Sequence, residues 1–253
     1  MQTSHATTPG LRPFKLLQIA NHFRRALILA AVRFPRATQA RIAGDFQQWA
    51  SQVLSTLQIQ VQSNRTPATA FTGLVVSNHL SWLDILVLQS LIPGIFVAKK
   101  EVRGWPVVGY LTQACSTIFV DRSSMRSAWQ MVDLTADAIQ RGGAVVVFPE
   151  GTSSDGGDLG NFHTNIFESA VRAGCAVQLV TLKYIDTRTG KAATDAHYIG
   201  DMTFASSLWR VLGNSSITAH VHIGDCIESD GHSRKTLAQQ AYKNMRSQLG
   251  AKD

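Results

Sequence analysis

One short stretch of this chain carries the residue types of a general base. Residues 78–84 read Asn-His-Leu-Ser-Trp-Leu-Asp, which places Asp84 five residues after His79. A carboxylate bonded to one ring nitrogen fixes the tautomer of a histidine and raises the basicity of the other nitrogen. Five residues of one helix turn through about 500°, so the two side chains meet only if His79 precedes a helix and Asp84 folds back from its first turns. The spacing therefore predicts a catalytic His–Asp pair at a helix start.

The same stretch also fits a purely structural turn. Asn78 and Ser81 are ordinary helix-capping residues, and one histidine is usually just a polar residue in a loop. The flanking sequence indicates a junction between rigid elements, because the run at 74–77 predicts a buried strand and the run at 85–88 a buried helix. A histidine at such a junction is held firmly at the edge of the core.

A second motif makes the pattern more specific. Phe-Pro-Glu-Gly-Thr occupies residues 148–152 and, like the first motif, follows an apolar strand, here at 144–147. In this order, and about 65 residues apart, the two motifs resemble the NHxxxxD and FPEGT blocks of the glycerolipid acyltransferases. Phe119 and Arg122 stand where that family has a Phe/Arg block, and residues 98–101 resemble its AKxE stretch.

The resemblance covers roughly residues 70–250 and implies an activity. Members of the family transfer a fatty acyl group from an acyl thioester, either acyl-CoA or acyl carrier protein, to the free hydroxyl of a lysolipid at the membrane surface. We therefore expect an O-acyltransferase of the 1-acyl-sn-glycerol-3-phosphate type, which acts in phospholipid biosynthesis. The resemblance implies no metal and no organic cofactor.

The resemblance also assigns roles to residues. His79 would be the base and Asp84 would orient it, so that the acceptor oxygen attacks the acyl carbonyl without a covalent acyl-enzyme. Ser81 is the nearest alternative nucleophile, but the chain offers no G-x-S-x-G elbow for it. The predicted substrate-binding residues are Lys99, Phe119, Arg122, Glu150, Gly151, Thr152 and Ser153.

Two details of the second motif stay open at this point. Backbone N–H groups around 151–152 are natural donors to an oxyanion or an acceptor, because a glycine turn lets the backbone approach closely. Glu150 has a structural alternative to acceptor binding, in which its carboxylate bonds backbone amides near the site.

The chain departs from the lysophosphatidate enzymes directly after this motif. Those enzymes usually have an arginine there, which can meet the acceptor phosphate, whereas this chain has Ser153. A related branch of the family acylates lyso-ornithine lipid, whose head group is zwitterionic and has no phosphate. Acylation of that lipid is the alternative function, with Asp155 or Asp158 available to meet the head-group amine.

Two other functions fit the same residues. A hydrolase of the same thioester or ester would use His79 to activate water, and it would release free fatty acid without an acceptor. A non-enzymatic lipid-binding module would keep the fold and would not need His79. The presence of both motifs argues against the module.

Positive charge is concentrated at the start of the chain. The net charge is +7, and residues 1–60 hold seven cations against one acid. Such a segment suits an anionic membrane surface or a nucleic acid. We find no zinc-finger spacing, no RNP-type motif and no Lys-rich tail, so we expect a membrane partner and no nucleic acid. Cys115, Cys175 and Cys226 lie far apart and are expected to be buried thiols in a reducing compartment.

Helical periodicity fills most of this basic segment. Apolar residues recur at three- and four-residue spacing over 14–34, up to Pro35, and again over 38–57. The longest apolar run, 26–32, is too short for a spanning helix, which needs about 20 residues. We expect residues 1–60 to form a disordered tail and an amphipathic hairpin in the membrane interface, although a soluble helical pair packed on the domain fits the same pattern.

Strands alternate with helices over residues 61–253. This order predicts an α/β domain with a mixed or largely parallel sheet flanked by helices and preceded by the two-helix segment, and the resemblance implies that it is the acyltransferase domain. The turns that carry the two motifs leave strand ends, where ligand sites lie in open α/β sheets. The expected location is the cytoplasmic face of the membrane, as a peripheral or monotopic protein.

Overall fold

Strands and helices alternate along the chain as the sequence pattern predicts. The computed structural model describes residues 11–66, 71–121 and 124–250. The α-helices are α1 (Leu11–Val32), α2 (Gln39–Leu57), α3 (Leu83–Leu91), α4 (Val108–Ala114), α5 (Met125–Gln140), α6 (Phe167–Ala173), α7 (Phe204–Leu212) and α8 (Arg234–Leu249). The strands are β1 (Gln60–Ser63), β2 (Gly73–Ser77), β3 (Ile95–Lys99), β4 (Ile118–Val120), β5 (Ala144–Val147), β6 (Ala176–Asp186) and β7 (Ile217–Glu228). Short 3-10 helices occupy Phe34–Arg36, Lys100–Gly104, Thr164–Ile166 and Thr194–Ala196.

The strands form one mixed sheet. Across the described residues its order is β1-β7-β6-β2-β5-β3-β4. Neighbouring strands pair in parallel except β6 and β7, which are antiparallel. The predicted α/β class with a mixed, largely parallel sheet is therefore confirmed.

The two motifs lie at adjacent strand ends. β2 and β5 pair in parallel, with Leu74 opposite Val145 and Val76 opposite Val147. Every residue of both strands is buried, because runs of branched apolar residues cover both faces of a central parallel strand. The carboxyl ends of parallel strands meet at one edge of the sheet. The segments at 78–84 and 148–152 are therefore neighbours, although about 65 residues separate them in the chain.

Helices cover both faces of the sheet. On one face, α2 and α3 pack together, and Leu54 and Val87 belong to a core that also includes residues of α1 and α7. On the other face, α6 and α8 contribute Phe167 and Leu237 to a second core. Burial of these apolar faces stabilises the sheet from both sides and leaves its carboxyl edge open for the motifs.

α1 is apolar on two sides, not on one. Ile19 and Ala26 are buried against the rest of the protein, whereas Phe14, Ile28 and Val32 are exposed by 57, 50 and 65%. The sequence pattern predicted a single apolar stripe. It did not distinguish the apolar residues of the buried side from those of the exposed side. Among the helices of the described ranges, none has both the length and the apolar character needed to cross a bilayer.

The cysteines correct one detail of the sequence analysis. Cys115 and Cys175 are partly buried, but Cys226 is exposed. The prediction of three buried thiols is wrong for Cys226, because successive residues of a strand face opposite ways and Ile227 takes the inward position on β7.

Candidate functional site

His79 and Asp84 form the predicted pair. His79 lies in the turn between β2 and α3, and Asp84 lies in the first turn of α3. The Nδ1 atom of His79 and Oδ2 of Asp84 are 2.7 Å apart. The His79 side chain is 20% exposed and that of Asp84 is fully buried. Since Nδ1 is bound to the carboxylate, Nε2 is the ring nitrogen that can accept a proton.

The Asp84 carboxylate is held by four donors. Oδ2 also accepts hydrogen bonds from the backbone N–H groups of Leu80, at 2.6 Å, and Ser81, at 2.9 Å. Oδ1 accepts from the hydroxyl of Tyr184 at 2.7 Å. This set satisfies a buried charge and fixes the direction from which Asp84 meets His79.

Tyr184 is a site residue that the sequence analysis missed. It lies on β6, next to β2 in the sheet, and is 1% exposed. Burial, together with the neighbouring charge of Asp84, raises the pKa of Tyr184 well above its ordinary value of 10.0. The hydroxyl therefore stays protonated and remains a donor to Asp84. No local pattern marks Tyr184, because it reads as one more apolar position of a long strand.

The imidazole is fixed by stacking as well. The rings of His79 and Phe148 are 4.1 Å apart between centroids and 15° from parallel. Phe148 directly follows β5, so pairing of β5 with β2 brings its ring against His79. The first residue of the second motif thus supports the histidine of the first.

Glu150 joins the two motifs through the backbone. Its Oε1 accepts a hydrogen bond from the N–H of His79 at 2.8 Å, and its Oε2 accepts from the N–H of Gly160 at 2.7 Å. These contacts match the structural alternative for Glu150. Burial raises the pKa of Glu150, while the two backbone donors act in the opposite direction. A Cβ at Gly160 would lie 2.8 Å from Oε2, so this glycine permits the close approach.

Asn78 and Ser81 do not cap the helix as the structural alternative proposed. α3 begins without a side-chain cap. The Asn78 amide instead donates to the carbonyl of Leu182 at 3.1 Å and accepts from its N–H at 2.7 Å, which extends the β2–β6 pairing by one side chain. Ser81 is fully buried, and its Oγ has no hydrogen-bond partner among the residues that the structure describes. It does not line the cavity described below, so it is poorly placed to act as a nucleophile.

The glycine of the second motif serves a turn. Gly151 has a φ of +74°, which favours glycine, and its N–H donates to the carbonyl of Phe148 at 3.0 Å. This hydrogen bond engages one of the N–H groups predicted to serve an oxyanion or an acceptor, and that role remains a prediction for the groups around 151–152. Thr152 is exposed and lies beside the same cavity as His79.

The loop after the motif folds over the turn at His79. The Ser154 N–H donates to the carbonyl of His79 at 2.9 Å, and the Tyr198 N–H donates to that of Leu80 at 2.9 Å. Ser153 donates its hydroxyl to the carbonyl of Tyr198. The second motif, the loop after it and the segment at Tyr198 therefore converge on the turn at His79. The segment at Tyr198 was not among the predicted site residues.

The remaining predicted site residues lie farther from His79. Lys99 is exposed at the end of β3 and lines the cavity. Phe119 lies on β4, where the guanidinium of Arg103 is 5.9 Å from its ring centroid. Phe119 is not among the described residues that line the cavity. Arg122 lies outside the described residues.

The His79 ring borders a large apolar cavity of about 830 Å³. Its walls include Phe46 and Trp49 of α2, Phe96 of β3 and Leu111 of α4. Gly151, Thr152 and Ser153 lie on its wall together with His79. The arrangement presents one basic nitrogen to an apolar space large enough for an alkyl chain, which is the geometry that proton abstraction next to a lipid substrate requires.

Comparisons with known proteins agree with this geometry. The profile of the Acyltransferase family matches residues 58–183. The chain is 36% identical over 202 residues to the lyso-ornithine lipid O-acyltransferase of Pseudomonas aeruginosa, covering 79% of this chain and 76% of that protein. It is 35% identical to the 1-acyl-sn-glycerol-3-phosphate acyltransferase of Neisseria meningitidis serogroup B, covering 70% of this chain and 71% of that protein.

The fold has a relative among solved structures. The crystal structure of the 1-acyl-sn-glycerophosphate acyltransferase PlsC from Thermotoga maritima superposes with a TM-score of 0.65 and 19% sequence identity. The match covers 96% of this chain and 99% of that one. The fold, the paired motifs and the extent of the sequence similarity lead to one conclusion: this chain belongs to the Acyltransferase family and is an O-acyltransferase.

Proposed function

We propose that the protein transfers a fatty acyl group from an acyl thioester to the free hydroxyl of a lysolipid, with His79 as the general base. The observation that carries this proposal is the position of His79, which is hydrogen-bonded to buried Asp84 and borders the apolar cavity. A base beside an apolar space suits a substrate with a long alkyl chain and one reacting hydroxyl.

The reaction follows from this arrangement. Nε2 of His79 takes the proton of the acceptor hydroxyl, whose oxygen forms the new ester bond to the acyl carbon. The thioester C–S bond breaks, and the leaving thiolate takes a proton from the imidazolium. Asp84 keeps the ring in the required tautomer and stabilises the imidazolium while it exists. No acyl-enzyme is needed, which agrees with the burial of Ser81.

The cavity is the proposed site of the acyl chain. Aromatic and aliphatic side chains of α2, β3 and α4 form most of its wall, and such a wall favours alkyl groups over water. Exclusion of water from the acyl carbonyl would also limit hydrolysis, the alternative reaction that His79 could catalyse. The donor is acyl-CoA or acyl carrier protein.

The acceptor that we propose first is lysophosphatidate. The exposed cation Lys99 lies on the cavity wall that also holds His79, so an anionic head group can be held near the base. Phe119, Arg122, Thr152 and Ser153 remain proposed acceptor-binding residues. Glu150 has both carboxylate oxygens bound to backbone amides, so we now propose a positioning role for it.

Lyso-ornithine lipid is the second candidate acceptor. It is favoured by Ser153, which stands where the lysophosphatidate enzymes usually have a cation, and by the similarity to the Pseudomonas aeruginosa protein. Asp155 and Asp158 are exposed on the adjoining loop. Arg246 lies 3.5 Å from Asp158, which makes Asp155 the better candidate for an amine.

We further propose that residues 1–60 attach the protein to an anionic bilayer as a peripheral or monotopic protein on the cytoplasmic face. On α1, exposed Phe14, Ile28 and Val32 lie on one side, flanked by Arg24 and Arg25. Residues 61–253 would then form the catalytic α/β domain.

A side-by-side acyl-transfer assay tests the proposal. The wild type and His79→Ala are compared with acyl-CoA and acyl carrier protein as donors, and with lysophosphatidate and lyso-ornithine lipid as acceptors. His220→Ala is the matched control, since His220 is an exposed histidine on β7. We expect acylation of one acceptor by the wild type and the control, and loss of at least about a hundredfold in His79→Ala.

Other outcomes of the same assay separate the alternatives. Equal activity of the wild type and His79→Ala excludes the base role. Release of free fatty acid that is independent of the acceptor identifies a hydrolase. Binding of lysolipid with no turnover in any combination favours a lipid-binding module.

A further inference from the structure

The turn before α4 holds a valine in a strained conformation. Val107 has φ +65° and ψ −60°, a region that side chains with a branched Cβ rarely adopt. The Val108 N–H donates to the carbonyl of Pro106 at 2.6 Å, which closes a three-residue γ-turn around Val107. This form of γ-turn is rare because it is sterically strained. Glycine would adopt it without strain, yet the chain has valine here.

The turn presents apolar side chains to solvent. Trp105, Val107 and Tyr110 are exposed by 45, 41 and 47%. We call these three residues the 105–110 tip. Because much of the Val107 side chain is exposed, its packing within the protein offsets little of the strain in its backbone. A partner that covers the tip would provide that compensation.

Charge around the tip indicates the chemistry of the partner. Lys99, Lys100 and Arg103 precede it, against Glu101 in that stretch and Asp121, which forms an ion pair with Lys100 at 3.4 Å. Tryptophan and tyrosine prefer the interface between lipid and water, where the apolar ring is buried and the polar atom stays hydrated. Basic residues beside exposed aromatic rings fit an anionic lipid surface better than another protein.

The tip also has a defined place relative to the reaction site. Trp105 and Val108 line the cavity that His79 borders. α4 packs against α1, where Leu111 shares a small core with Ala26 and Ala30. The tip therefore lies between the cavity and the helix proposed to attach to the membrane.

We propose that the 105–110 tip is a second bilayer contact, which inserts its side chains at the lipid interface and holds the opening of the cavity against the membrane. The inference rests on the proposed function in one respect, namely that the substrates are lipids taken from a bilayer. The tip would be a membrane contact outside residues 1–60. It can be tested by vesicle binding, without any measurement of acyl transfer.

Vesicle binding of the full chain tests the contact. Val107→Asp and Tyr110→Asp each place a negative charge on the tip, and neither residue lines the cavity. Leu134→Asp is the matched control, because Leu134 is 44% exposed on α5. On vesicles of phosphatidylcholine and phosphatidylglycerol, we expect each tip variant to bind about fivefold more weakly than wild type and the control to bind like wild type.

Val107→Gly separates membrane contact from folding. Glycine fits φ +65°, so this variant should unfold at the same temperature as wild type or higher. It lacks the apolar side chain, so its vesicle binding should be weaker. Weaker binding without loss of thermal stability is the result that a merely structural role of Val107 does not produce.

Tryptophan fluorescence gives a direct view of insertion. The chain has five tryptophans, so the difference between wild type and Trp105→Phe isolates the signal of Trp105. In vesicles with brominated acyl chains, we expect wild type to be quenched more than Trp105→Phe. Trp129→Phe is the control, since the guanidinium groups of Arg172 and Arg234 each lie 5.1 Å from the Trp129 ring centroid.

The outcomes distinguish this inference from the proposed function. Wild-type vesicle binding by Val107→Asp and Tyr110→Asp, in an enzyme that acylates lysolipids, overturns the tip and leaves the function standing. Weaker vesicle binding by the two tip variants than by a wild type that acylates nothing supports the tip and removes the function. If the protein is a dimer without lipid and Val107→Asp converts it to a monomer, the tip is a contact between two copies and the proposal is overturned.

Discussion

The Tyr184 hydroxyl and the His79 ring hold opposite oxygens of the same carboxylate, both at 2.7 Å from Asp84. Tyr184 thus acts on the histidine through Asp84, as a positioning residue. In Tyr184→Phe we expect kcat to fall about tenfold with little change in KM, because Oδ1 loses its donor and the carboxylate shifts. Tyr242→Phe, which removes a tyrosine hydroxyl bonded to the Leu159 carbonyl, is the control. An equal loss in both variants would argue for a general effect of losing a buried hydroxyl.

Replacement of the pair members should separate activity from stability. His79→Ala should abolish transfer but lower the free energy of unfolding by less than the Asp84 substitution does, because Oδ2 of Asp84 keeps its two backbone donors. Asp84→Asn should also lose activity, and it should lower the free energy of unfolding by about 3 kcal/mol, since one amide cannot accept from all four donors. Urea unfolding of both variants measures this difference. Similar stability of the two variants would contradict the four-donor arrangement.

The buried carboxyl group of Glu150 should make the stability of the protein depend on pH. Burial raises its pKa above the ordinary value of 4.5, so the folded protein binds this proton more tightly than the unfolded chain. The contribution of Glu150 to the free energy of unfolding therefore falls as pH rises from about 4.5 through the folded pKa. Glu150→Gln lacks this titration. We expect the stability difference, wild type minus Glu150→Gln, to decrease over that interval in urea melts, and a difference that rises with pH would reverse the assignment.

Ser153 predicts a change of acceptor preference. Arginine at this position should raise kcat/KM for lysophosphatidate roughly tenfold, since a charge-assisted hydrogen bond to phosphate contributes about 1.5 kcal/mol. Ser153→Ala is needed as the control, because any substitution removes the hydrogen bond to the Tyr198 carbonyl. If Ser153→Arg gains nothing over Ser153→Ala on lysophosphatidate, the missing cation does not determine the acceptor.

The cavity predicts a limit on acyl length. Ala98 lines it, so Ala98→Leu should shift the preference from longer to shorter acyl donors by filling part of the space. Ala138→Leu makes the same substitution on α5, at a partly buried residue that packs in the core on the other face of the sheet. Competition between acyl donors of different length measures the preference. An unchanged preference in Ala98→Leu would move the acyl chain to another part of the protein.

Much of this protein follows from its sequence alone. Apolar patterns predicted the elements and the α/β class, because burial repeats every 3.6 positions on a surface helix whereas a central parallel strand is apolar on both faces and reads as a short continuous run. The His79–Asp84 hydrogen bond was also predictable, since both residues belong to one short turn and helix start. The catalytic roles of these residues and the boundary near residue 60 remain predictions.

Tertiary structure decided the contacts that surround the pair. Tyr184 meets Asp84, Phe148 meets His79 and Glu150 binds the His79 amide only because β6 and β5 lie on either side of β2. Strand order is set by how whole strands and their connecting helices pack, and periodicity within one strand carries no information about its neighbours. Packing likewise decided which apolar side of α1 is buried against the protein and which is exposed, since periodicity alone does not distinguish the two sides.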